Sequence, residues 1–222
     1  MCIRLSVAAA ICFSSLAVMK AQAVADPTGS YQVRYAANLI AGDSYINFTN
    51  DGASSTIVGL TSGGFQNGNI CVNVYAYSPD EQLVSCCSCL VTPNAMASLS
   101  VKGDLVSNTL TPIQPSAVVI KLLASAGGDT RTSCDAAAVT RTGTNPLAPG
   151  LAAWGTTIHA LPITFGTPAG TYGMGETAFS RGTLSDAELT RMTQLCGFIR
   201  ANGSGYGVCK SCRFGGLGAA SK

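Results

Sequence analysis

Apolar and polar positions alternate in steps of two through much of the first half of the chain, the periodicity of half-buried β-strands. Tyr31, Val33 and Tyr35 alternate with Gln32, Arg34 and Ala36, and Ile46 and Phe48 alternate with Asn47 and Thr49. Asn50-Asp51-Gly52 supplies a turn, because Asp-Gly readily takes positive φ. Ser55–Leu60 then predicts a return strand that closes a hairpin, followed by a Gly- and Asn-rich loop from Ser62 to Asn69. The strongest strand is Ile70–Tyr77, with Ile70, Val72, Val74 and Ala76 on one face and Cys71, Asn73, Tyr75 and Tyr77 on the other. Ser78-Pro79-Asp80-Glu81 turns the chain and Gln82–Leu90 returns. Ala95–Val101 and Ala117–Ala124 are further strands, the second almost wholly apolar, as a strand in the middle of a sandwich would be. Ser125–Gly150 has no periodicity. Structureless loops of that length are uncommon inside compact domains, and Cys134 in its middle predicts a tether. Strands resume around Trp154–Ile163 and Tyr172–Phe179.

The period changes once. Leu189, Met192, Cys196 and Ile199 recur at helical spacing. Ser185 before them is an N-cap, Glu188 completes a capping box, Leu184 and Leu189 form a staple, and Asn202-Gly203 ends the helix. The predicted fold is therefore mostly β: an antiparallel β-sandwich or jelly-roll-like domain, with one C-terminal helix stapled to it by disulfides. Residues 24–183 would form the sandwich, with the long loop 125–150. Residues 184–222 would form the helix and a cysteine-containing tail packed on it.

The first 23 residues read as an export signal. Arg4 gives a positive start, Leu5–Met19 an apolar stretch and Ala21-Gln22-Ala23 a small-x-small cleavage pattern. The apolar run is shorter than the roughly 20 residues that cross a bilayer. Cleavage after Ala23 would remove Cys2 and Cys12 and release a chain of Val24–Lys222 with no membrane attachment. The expected location is extracellular or periplasmic.

Without Arg4 and Lys20, the 13 basic residues fall to 11, matching the 11 acidic ones. That balance gives no electrostatic reason to bind nucleic acid. Charged residues are only 11% of the chain, against about 25% in ordinary globular domains. Low charge weakens repulsion between copies and so eases self-association.

Eight cysteines remain: Cys71, Cys86, Cys87 and Cys89 around one predicted hairpin, Cys134 in the loop, and Cys196, Cys209 and Cys212 on the helix and tail. In an oxidising compartment an even number implies disulfides, here four. Across a hairpin turning at Pro79-Asp80, Cys71 would lie opposite Cys87 or Cys89, the expected partner. At least one cysteine of Cys86 and its neighbours should reach the C-terminal cluster. The competing reading is a four-thiolate zinc site from Cys86-Cys87-Ser88-Cys89 and Cys209-Lys210-Ser211-Cys212, which export disfavours. Redox chemistry at Cys209–Cys212 would need a following helix, and none is signalled. No metal or cofactor is expected.

Gly42-Asp43-Ser44 is similar to the nucleophile block of GDSL-type esterases. That resemblance implies a late Asp-x-x-His pair, whereas the single histidine, His159, has Thr156 three residues before it. The alternative for Asp43 and Ser44 is a turn in which both bond local backbone groups. Tyr31, Tyr35, Tyr45, Tyr75 and Tyr77 could form a sugar-stacking platform or pack across strands. Asn47-Phe48-Thr49 and Asn202-Gly203-Ser204 fit the N-glycosylation sequon. With no complete catalytic set, the leading expectation is a non-enzymatic extracellular or cell-surface protein, structural or interacting, and able to self-assemble. In that case Ala25–Ala41 could be a strand lent to a neighbour. The alternatives are a module binding a cell-surface polysaccharide or other ligand, and a hydrolase using Ser44 and His159.

Overall fold

The computed structural model describes residues 29–58, 64–66, 68–143, 145–163, 166–210 and 212–214; the predicted export signal lies outside them. In chain order the elements are β1 (Tyr31–Ala36), β2 (Tyr45–Asn50), β3 (Thr56–Val58), β4 (Gly64–Gln66), β5 (Ile70–Tyr77), β6 (Leu83–Val91), β7 (Met96–Ser100), β8 (Val118–Ala126), β9 (Leu151–Ala160), β10 (Tyr172–Ala178), β11 (Ser180–Arg181), α1 (Asp186–Ala201) and β12 (Arg213–Phe214). Two five-stranded antiparallel sheets carry the fold. One has the order β11-β1-β8-β5-β6 and the other β10-β9-β2-β7-β12.

The main core lies between the sheets. Val72, Val74, Ile120 and Leu122 of the first sheet meet Ile46, Phe48, Leu99 and Ala153 of the second. The opposite face of the first sheet is also covered. Tyr75, Tyr77 and Leu123 pack beneath Leu189, Met192, Cys196 and Ile199 of α1, with Ala136 and Val139 of the long loop beside them. The fold is thus a sandwich with a third, partial layer. This explains why all eight residues of β5 are buried although their pattern alternates: each face meets a different core.

The helix begins as its cap predicts. Ser185 is extended, and its Oγ accepts the Glu188 N–H at 3.1 Å. The reciprocal half of the capping box gives way to an ion pair between the Glu188 carboxylate and Lys121 on β8, which ties helix to sheet. Asn202-Gly203 ends it, with Gly203 at φ +69°.

The expected β2–β3 hairpin is not formed. β2 pairs with β7 and β9, while β3 pairs with β4, inside the stretch read as a loop. The physical reason lies in the turn: Asn50 Nδ2 donates to the carbonyls of Gly68 and Val91, and the Asp51 N–H donates to Gly150. The chain leaving β2 is therefore tied to three distant segments instead of folding back on its own strand.

All eight predicted cysteines are in four disulfides, but the expected Cys71 pairing is wrong. Cys71 bonds Cys134, and Cys86, Cys87 and Cys89 bond Cys196, Cys209 and Cys212 respectively. The register places Val72 opposite Cys89 and Val74 opposite Cys87. Cys71 is one residue out of step with both and faces the other side of the sheet, where the long loop brings Cys134. All three cysteines of β6 reach the C-terminal segment. The same alternation aims Cys86 at α1 and turns Cys87 and Cys89 toward the tail. With Cys86, Cys87, Cys89, Cys209 and Cys212 all in disulfides, the four-thiolate zinc reading loses the ligands it named.

Candidate binding cleft

The two lateral sides of the sandwich differ. On one side the tail runs along β6. The Cys86 N–H donates to Gly207 O, the Cys209 N–H donates to Cys86 O, and β12 then pairs with β7 of the other sheet. Backbone bonds and disulfides thus seal that side. On the opposite side, β11 is two residues long and covers only Gln32 and Val33 of β1. The edge of β1 from Arg34 onward faces β9 and β10 across a cleft of about 730 Å³.

Arg34 forms the floor. Its position on β1 aims it between the sheets, where its Nη1 donates to Thr177 O and Oγ1 at 2.5 Å each. Nη2 donates to Thr157 Oγ1 at 2.7 Å. The guanidinium carbon lies 5.9 Å from the centroid of the Phe179 ring, and the buried Nε has no partner among the described residues. Burial lowers the Arg34 pKa, opposed by the charges of Tyr35 and Glu176. Glu176 itself accepts a hydrogen bond from Asn47 Nδ2 at 3.0 Å. Gly155 makes the crossing possible, because a Cβ there would lie 2.7 Å from Arg34 Nε.

His159, Thr157 and Ser180 line the walls with Gly175 and Thr177, while Tyr35 and Val119 flank the outer lip. A Cβ on Gly175 would sit 3.5 Å from His159 Cε1, so the glycine leaves the imidazole open to the cleft. His159 and Tyr35 are both exposed. Nothing in the sequence marked Arg34, Thr157 or Thr177 as a group, since only the sheet order brings β1 to β9 and β10.

The structure does not couple Ser44 with His159. Ser44 is fully buried and its Oγ has no hydrogen-bond partner among the described residues, whereas His159 is exposed at the cleft. Asp43 acts structurally across a distance in sequence: it accepts the Lys102 N–H at 2.7 Å and the Ser100 hydroxyl. The five tyrosines do not make one platform. Tyr31, Tyr75 and Tyr77 are buried beneath α1, Tyr45 is half-buried, and Tyr35 alone of the five is exposed. Of the two sequons, Asn47 is buried and Asn202 is exposed.

Among the described residues, no cluster of three or more His, Cys, Asp or Glu could hold a metal, and no helix is long and apolar enough to cross a membrane. Four disulfides suit an oxidising, extracellular-type environment. In comparisons with known proteins, the chain matches no family model, no curated protein and no solved structure, so the cleft must be interpreted from its own geometry.

Proposed function

We propose that this chain is exported and works outside the cytosol as a non-enzymatic interaction module, contacting its partner through the cleft between β1 and β10. The observation that carries the reading is the asymmetry of the sandwich. Disulfides and backbone pairing seal the β6 side, while the β1 side keeps an uncovered strand edge and a cleft within the usual size range of ligand sites. The test is an array of glycans and extended peptides, probed with the oxidised protein and with Gly175→Leu, whose side chain would fill the cleft. Binding abolished by the substitution supports the reading. Binding that survives it, or no binding to any array member, overturns it.

A second reading, self-assembly, is favoured by β10. Among the described residues it is an edge strand, paired only with β9, and it exposes Tyr172 and Met174. Long apolar strand edges invite pairing with another chain. The segment considered for lending is, over Tyr31–Ala36, already β1 of its own sheet, so an assembly would form through β10. Sedimentation showing only monomer at high concentration would refute it.

A further inference from the structure

We infer that the cleft takes an anionic saccharide whose acidic group is met by Arg34 and His159; this rests on the cleft being the binding site proposed above. Among the described residues no Asp or Glu lines the cleft, whose charged and titratable lining groups are Arg34, His159 and Tyr35. The Arg34 guanidinium makes its three hydrogen bonds to neutral oxygens only; the Glu176 charge acts on it through space, from a carboxylate that accepts from Asn47 and lies outside the lining of the cleft.

Those same bonds bias the site toward donors. A guanidinium has five N–H groups. Three are used here, the Nε hydrogen is buried, and one on Nη2 remains. Thr157 and Thr177 accept from Arg34, which turns each hydroxyl's own hydrogen toward another acceptor. Ser180, Tyr35 and one imidazole N–H add further donors. A site with fixed positive charge and an excess of donors suits a ligand rich in acceptor oxygens and carrying negative charge. The exposed Tyr35 ring beside Val119 offers the apolar surface on which a sugar ring packs. A bare carboxylate would leave that surface and most of the cleft unused.

Isothermal titration of the oxidised, mature protein with trigalacturonate tests the inference, with its fully methyl-esterified form and malonate as companions. Trigalacturonate should bind, and the ester should bind at least about tenfold more weakly, as loss of a charge-assisted hydrogen bond implies. Arg34→Gln and His159→Gln should each weaken trigalacturonate binding several-fold, and added salt should do the same. Because Arg34 also joins the sheets, Gly175→Leu serves as a second variant that blocks the cleft with Arg34 intact. Its melting temperature should match the parent while binding is lost. Equal binding of acid and ester overturns the charge argument, and malonate binding as tightly as trigalacturonate overturns the saccharide argument. Absence of trigalacturonate binding overturns the inference as a whole. The array with Gly175→Leu then reports separately on whether the cleft binds another class of partner.

Discussion

Removing the disulfides one at a time, as paired Cys→Ala variants, should cost unequal amounts, because each bridge closes a different ring once the others are present. Cys71–Cys134 spans 63 residues, and no other bridge offers a shorter route between its ends. Chain-entropy reasoning gives it about 4 kcal/mol. Cys86–Cys196 spans 110 residues and would outrank it if it stood alone. With Cys87–Cys209 in place, however, its ring shrinks to roughly 16 residues, worth about 3 kcal/mol. Cys87–Cys209 spans 122 residues, but the neighbouring Cys89–Cys212 bridge reduces its ring to roughly 7 residues, worth about 2 kcal/mol. The order of cost is thus nearly the reverse of the order of sequence separation. Guanidinium unfolding of the three double variants measures it. For a chain of this size, the Cys71–Cys134 variant should also melt roughly 8–16 °C lower. A Cys87–Cys209 variant as damaged as the Cys71–Cys134 variant would refute the reasoning, because the tail would then not be held redundantly along β6.

Ser185→Ala removes the acceptor for the Glu188 N–H and should lower stability by about 1 kcal/mol, measured by denaturant midpoint. Gly155→Ala places a methyl group 2.7 Å from Arg34 Nε. It should displace the guanidinium from Thr157 and Thr177, seen as shifted threonine resonances in NMR spectra. An unchanged spectrum would show that the crossing has slack. Burial raises Tyr31 to about 12, helped by the Glu188 charge, and burial likewise pushes Tyr75 and Tyr77 upward. An unfolded tyrosine loses its proton near pH 10, while these three keep theirs when folded. Stability should therefore be flat below about pH 10 and fall as pH rises from there to about 12. Midpoints independent of pH across that window would contradict the burial of these phenols, and Tyr31→Phe should make the decline shallower.

Features set by near neighbours along the chain were legible in the residues themselves. The stripe Leu189, Met192, Cys196 and Ile199 specified α1 and its buried face, since a period near 3.6 puts those side chains on one side. Ser185 marked its start. The alternation in Ile70–Tyr77 specified both faces of β5, though not that each would meet its own core. Features set by which strands become neighbours emerged only in the folded chain. The partner of Cys71 followed from a one-residue offset against β6 and from a loop more than 60 residues away. The separation of β2 from β3 followed from Asn50 and Asp51 bonding to distant carbonyls. The cleft is the furthest from local pattern. Arg34 reads in sequence as one polar position in an alternating strand, yet it meets Thr157 and Thr177 more than 120 residues on. Sheet order brings them together, and non-local pairing leaves no period in the sequence.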